Sequence, residues 1–464
     1  MYLNSLQDRS PAFHVVLIAV TLLPLYYGSS VYRSSYVYDG GKQAATAEHE
    51  RPSSEDFVQD WLGTHVVEPL NPSAIYKYCN TSTWHPNLIF RLDNANGGVG
   101  NIRGNMLDFL FQAIEAGASI VLPDMAARSQ EDISNVWASR APFDAFFDKT
   151  WFLLSVKEAC PQMTIYDLKD GVLPAEPLTV GNYMPRSRRI DQEAEMTRKE
   201  ALANLHKWMA EAKNEEPDKS QTLNLDEPVL INNERTLWDV DTRSLPPGLR
   251  RNLGQLLRIN PKIREYAAIV VQNLASKYDI PLDPRDAVPK AAFHGAHLRT
   301  EADAKNAGWT AAPHGNWTAQ TDAYIQHALT NKLSVSYVAS GSIGDLARFK
   351  AKAAAHKPPV AITSKFKLLP PRAAAELQQL SWDQQALVDY EVLQRCSVFG
   401  GFVKSSFAFN VAMTRGQWLE DQGRVVDPWF VKNRDADVAM DDGISRIFGR
   451  DGWHEQRIPR GMWP

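Results

Sequence analysis

From residue 289 onward, short apolar runs alternate with longer amphipathic ones. In order they read "KAAFHGAHL", a polar stretch after Thr300, a second one near 319–331, "LSVSYVAS", "IGDLARFKAKAAA", "PVAITS", "SWDQQALVDYEVLQR", "SVFGGFV" and "SSFAFNVAMTR". Strand-length apolar runs separated by segments of helical period predict a βαβα chain, because parallel strands need a crossover and a helix is the crossover that fits. The predicted fold class is therefore α/β, with a parallel, doubly wound sheet whose ligands lie outside the carboxyl ends of its strands. Functional residues are to be sought immediately after each strand.

"KAAFHGAHL" is followed at once by Arg299, with His297 just before it. Thr300 with Asp303 three residues on reads as a capping box opening the next helix. A planar, permanently charged guanidinium at such a strand end suits a diphosphate and stabilises a departing phosphate without proton transfer. The alternative is an ion pair holding the strand–helix corner. "SVFGGFVKSSFAFNVAMTRG" repeats the arrangement: a strand ends at Lys404, and Ser405 and Ser406 open a helix predicted to stop at Gly416. Its free N–H groups and dipole make either an anion site or simply a capped helix end.

A third loop, "NGGVGNIRGN" at 96–105, separates a predicted strand at 88–92 from a helix carrying Met106, Leu107, Leu110 and Ile114, with another strand at 119–122. It is not a dinucleotide fingerprint, since Arg103 stands where the third glycine would be. Gly98 and Gly100 permit close backbone approach to a ligand, and Asn101 offers it an amide; a tight turn is the plain alternative.

The remainder sets the surroundings. At 464 residues, 44% hydrophobic and 22% charged, the chain supports two domains, and its formal charge of −4 gives no general attraction to nucleic acid. "AFHVVLIAVTLLPLYY" at 12–27 reads as an uncleaved signal-anchor, against a cleaved signal peptide or a buried helix. The sequons at Asn80 and Asn316 lean toward a lumenal body. Cys79 and Cys160 are free to pair, whereas Cys396 reads as a buried thiol. The charged segment 191–213 reads as a helix, preceded by a solvated "RSRR" loop at 186–189. Asp239-Val240-Asp241 has the form of a cation-binding DxD pattern, but it precedes a proline-rich helix start, and Asp435-Ala436-Asp437 shows how readily the pattern recurs. No metal site is expected. With no GxSxG elbow and no complete dinucleotide loop, a hydrolase or oxidoreductase is disfavoured.

"GGVGN", "GAHLRTEAD", "QQALVDYEVL" and "SVFGGFVKSSFAFNVAM", in this order between about 85 and 430, resemble the protein O-fucosyltransferases and related GDP-fucose-dependent transferases. The resemblance implies a GT-B fold, two Rossmann-like domains facing a cleft. It also implies that Gly98, Gly100 and Asn101 approach donor and acceptor. Arg299 would hold the diphosphate leaving group with His297 beside it, Asp389 would contact the nucleoside, and Ser405, Ser406 and Phe407 would form the phosphate-binding and base-side turn. For Asp389 the residues alone allow a solvated acid on an amphipathic helix. The implied chemistry is inverting, metal-independent transfer from GDP-fucose to a hydroxyl of a protein or glycan, with no bound cofactor. The loop departs from the family pattern, lacking the arginine found two positions before the glycine in animal members, and 130–235 offers no recognisable acceptor site.

The expected organisation is a cytoplasmic tail (1–11), a transmembrane signal-anchor (12–28), a stem (29–70), an acceptor-side domain (71–245), connecting helices (246–288), a nucleotide-sugar domain (289–430) and an extension (431–464). The expectation is a type II enzyme of the Golgi or endoplasmic reticulum. The alternative is an anchored, non-catalytic nucleotide- or glycan-binding protein of the same fold.

Overall fold

The computed structural model describes residues 54–129, 131–169, 171, 173–180, 198–212, 225–424 and 437–464. The expected anchor, the "RSRR" loop and Asp435-Ala436 lie outside them. No helix among the described residues is long and apolar enough to cross a membrane. Inside the segment read as stem, the Ser54–Gly63 helix already belongs to the folded body: its Phe57 and Trp61 are buried and it packs on the Pro261–Lys277 helix.

Thirteen strands make up the described sheets: β1 (Leu88–Leu92), β2 (Ser119–Val121), β3 (Met125–Ala127), β4 (Ser139–Ala141), β5 (Ile165–Tyr166), β6 (Pro177–Val180), β7 (Val229–Asn233), β8 (His294–His297), β9 (Val335–Ala339), β10 (Ala361–Thr363), β11 (Val398–Phe402), β12 (Val438–Asp441) and β13 (Ser445–Phe448). The first sheet runs β5-β2-β1-β7-β6, all parallel. The second runs β10-β9-β8-β11-β13-β12 and is parallel except for β12 against β13. β3 and β4 form a separate antiparallel pair. Continuous apolar runs such as Leu88, Ile89 and Phe90, all buried, are what a sheet covered on both faces requires.

Strand order locates the site. Each parallel sheet starts in its middle and winds outward both ways, so the chain reverses direction beside its first strand. The crevice opens there, between β8 and β11 in one sheet and between β1 and β7 in the other. The short turn at 96–98 and the helix it opens follow β1, Arg299 follows β8, and Ser405 follows β11.

The helices after these strands are fixed by local chemistry. Val99–Ala116 starts from extended Gly98 and ends at Gly117, whose left-handed φ of 66° closes the helix. A β-carbon at Gly117 would also lie 1.9 Å from the Thr83 carbonyl oxygen. Ser381 and Gln384 form a true capping box on Trp382–Gln394. Two expectations are corrected. The helix opened by Ser406 does not stop at Gly416 but runs to Asp421, since Gly416 is buried against Asp442 and Leu419 extends the apolar face. The Thr300/Asp303 capping box does not form: Thr300 donates to Asp345 at 2.7 Å, Asp303 is held by Arg299, and Glu301 is the N-cap of a five-residue helix, Ala302–Asn306.

Candidate active site

Arg299 is placed by its backbone before its side chain matters. Its N–H donates to the Gln320 amide oxygen at 2.9 Å, and the Gln320 amide N–H returns to the Arg299 carbonyl at 3.1 Å. The guanidinium then donates to Glu301 at 2.8 Å and to both oxygens of Asp303 at 2.7 and 2.6 Å. Burial opposes the arginine's charge, but these two carboxylates more than offset it, raising its pKa above the usual value. Burial likewise works against ionisation of Glu301 and Asp303, and the arginine outweighs it in both. Glu301 is tied down further by the Gly341 N–H at 2.7 Å.

Beside it, Ser405 caps the Ser406–Asp421 helix by accepting from Ala408 N–H, and its hydroxyl lies 3.1 Å from His297 Nδ1. The His297 ring packs on Phe407 with centroids 4.5 Å apart. Burial pulls His297 down to about 4, so it is neutral at physiological pH. As first-turn residues of a helix, Ser406 and Phe407 carry N–H groups with no intrahelical acceptor.

The first sheet meets this helix end directly. The Ser406 hydroxyl donates to Asn101 at 2.6 Å, and Gly100 lies so close that a β-carbon there would sit 2.8 Å from the Ser406 carbonyl carbon. Gly98, Gly100, Asn101, His297, Arg299, Ser405, Ser406 and Phe407 thus converge on one crevice between the two sheets. Asp389 is not the solvated acid its helix suggested. It is buried, paired with Lys365, and accepts from the Tyr337 hydroxyl at 2.6 Å, with burial raising its pKa despite both partners.

Sequence reasoning missed Arg128. It follows β3 and reaches across to Asp303 at 3.0 Å, so one carboxylate is shared between Arg128 and Arg299. Its N–H and side chain also meet Asp383, whose pKa burial pushes up to about 6 despite the nearby guanidinium. A β-carbon at Gly98 would stand 3.3 Å from Arg128 Nη2. Gln320 was missed as well; nothing in its local sequence distinguishes it from an ordinary helix residue.

The other expectations fall outside the crevice. Asp239 and Asp241 pair with Arg457 and Arg460. Among the described residues no cluster of His, Cys, Asp or Glu could hold a metal ion. Arg103 points away, donating to the carbonyls of Gly254 and Trp463 and to the terminal carboxylate of Pro464. Cys79 and Cys160 form a disulfide and Cys396 is a buried free thiol. Asn80 and Asn316 are exposed, the latter capping the Trp317–Thr330 helix.

Four histidines, the buried His294, His297 and His327 and the half-buried His65, share a depressed pKa, with desolvation the first cause in each. Between pH 6.5 and about 4 the unfolded chain binds protons at these positions that the folded chain does not. Their stabilising contribution is therefore complete above pH 6.5 and lost as pH falls. The melting midpoint should drop steadily from pH 6.5 to 4.5 at constant ionic strength; a flat profile would contradict their neutrality.

The family model described as GDP-fucose protein O-fucosyltransferase matches residues 88–417. Similar solved structures include POFUT1 in complex with GDP-fucose (12% identity, TM-score 0.42, covering 73% of this chain and 96% of that one). The fucosyltransferase NodZ from Bradyrhizobium is another (11% identity, TM-score 0.35, covering 70% and 92%). No curated protein matches the sequence. The family match takes in the greater part of the chain, from β1 through the helix that Ser406 opens. The chain belongs to the GDP-fucose protein O-fucosyltransferase family of glycosyltransferases.

Proposed function

We propose that the protein transfers fucose from GDP-fucose to a hydroxyl of a protein or glycan, with inversion and without a metal ion. The acceptor oxygen bonds to the anomeric carbon, the bond from that carbon to the β-phosphate oxygen breaks, and GDP leaves with the electron pair while the acceptor proton passes to the departing phosphate. One observation carries this reading: Arg299 and the first turn of the Ser406–Asp421 helix follow the neighbouring strands β8 and β11 at the reversal point of the second sheet, joined through His297 and Ser405, with Asn101 from the first half bound to Ser406. That set offers cationic and dipolar donors to a diphosphate as its charge grows. The helices that follow β1 and β11 meet at Gly100 and Ser406, a contact that closes one side of the crevice against water, the competing acceptor, in this reading.

Arg128 takes the part of the arginine that the glycine loop lacks. Its guanidinium occupies the space into which a side chain at 98 would project. Arg128→Met should lower turnover by about 10–100-fold, read as fucose transfer per folded molecule. Placement in the Golgi or endoplasmic reticulum, with the body in the lumen and the 12–28 segment as anchor, belongs to the same proposal; the Cys79–Cys160 disulfide suits an oxidising compartment.

The test is nucleotide selectivity. In chelator, GDP should raise the melting midpoint of the full chain while UDP and CMP do not, and GDP-fucose should be hydrolysed slowly without acceptor. Loss of the GDP effect in chelator, restored by Mg²⁺ or Mn²⁺, would overturn metal independence. Both carboxylates on Arg299 favour one other reading, a non-catalytic nucleotide-binding protein whose arginine is wholly spent on ion pairs. GDP binding without hydrolysis or transfer would select it.

A further inference from the structure

Away from the crevice, the two halves line a partly open cavity of about 140 Å³. Arg103 reaches it from the first half, Arg395 and Glu391 from the second, Arg264 from the Pro261–Lys277 helix and Arg258 from the loop before it. None of the crevice residues lines it. Four guanidiniums against the Glu391 carboxylate and the Pro464 terminus leave the cavity with a net positive charge, which is costly where water is largely excluded.

Hydrogen bonding satisfies these arginines but neutralises only part of their charge. Arg395, 2% exposed, donates to the carbonyls of Trp61 and Thr64, and burial pulls its pKa down to about 9 although Glu391 works the other way. Arg103 donates to the carbonyls of Gly254 and Trp463 and to the terminal carboxylate of Pro464, the one counter-charge it meets among the described residues. Arg258 stacks 3.9 Å over Trp151 and donates to His65, which burial holds near 4 and therefore neutral. Glu391 stands 3.7 Å from Arg264 and is shared among the rest. Gln255 Nε2, at the cavity wall, is buried and has no hydrogen-bond partner among the described residues. It is a donor without an acceptor in a space lined by cations.

We propose that this cavity binds a doubly charged tetrahedral oxyanion, a phosphate or sulfate group, held by Arg258 and Gln255 within the field of Arg103, Arg264 and Arg395. Such an anion supplies the missing negative charge and the missing acceptor together, and it ties elements of both halves to one ligand. The inference rests on the cavity and is independent of the proposed transfer reaction.

The probe is inorganic phosphate against chloride at matched ionic strength, with the full chain. At about ten times its dissociation constant phosphate should raise the melting midpoint by about 1–2 °C. The same rise should appear in Arg299→Ala, shrink at least threefold in Arg258→Met, and vanish in Gln255→Glu. A carboxylate at 255 fills the charge deficit, so that variant should melt higher than wild type without phosphate. Phenyl phosphate separates two sources: a rise equal to that with phosphate assigns the site to a phosphoryl group on a larger molecule, and no rise assigns it to the free ion. No phosphate effect beyond that of chloride would overturn the proposal. So would a rise unchanged in both Arg258→Met and Gln255→Glu, or one lost in Arg299→Ala, which would place the anion in the crevice. Should Gln255→Glu fail to fold, Arg258→Met decides.

Discussion

Arg299→Ala should lower fucose transfer by about a thousandfold, or ~4 kcal/mol of transition-state stabilisation. The guanidinium is a permanent cation at the end of β8, and its backbone is clamped on both sides by Gln320, so a substitution removes the charge without moving the strand. The variant also leaves Glu301 and Asp303 buried without their counter-charge, which costs stability. Activity must therefore be expressed per folded molecule. Arg299→Lys separates the two effects: it restores charge against both acids but cannot present a fork, so stability should recover while transfer recovers only in part. Transfer by Arg299→Ala within tenfold of wild type would remove leaving-group stabilisation from the mechanism.

The second large effect is on folding. The disulfide joins the Ser73–Cys79 helix to the residue that ends the Lys149–Ala159 helix, closing 81 residues of sequence separation. A loop of that length implies about 4–5 kcal/mol of stabilisation through the unfolded chain. Cys79→Ser with Cys160→Ser should lower the urea midpoint accordingly without altering GDP selectivity, since neither cysteine lines the crevice. A midpoint within about 0.5 kcal/mol of wild type would show that the helices hold without the crosslink.

The strand–helix alternation of the second half was legible because each strand there is a short apolar run and each helix has a clear apolar period. The first half was less so. β6 and β7 lie more than forty residues apart in sequence and pair only in space, and β3 is three residues long outside the main sheets. Arg299 and Ser405 could be found because both follow recognisable strands. Arg128 could not: its partners Asp303 and Asp383 lie 175 and 255 positions away, and nothing in "PDMAARS" marks it. The capping box failed for a related reason. Thr300 and Asp303 have the right types and spacing, but a buried arginine one residue earlier is a stronger partner for the aspartate than a backbone N–H.

Sharing Asp303 between Arg299 and Arg128 has a bearing on ionic conditions. Where cationic sites draw mobile salt ions, binding an anion must first displace them, and affinity falls as salt rises. Here Asp303 and Glu301 are resident counterions, attached to the chain and excluded from exchange with the medium. Donor affinity should then vary little with ionic strength, leaving the crevice equally receptive in dilute buffer and in a salt-rich compartment.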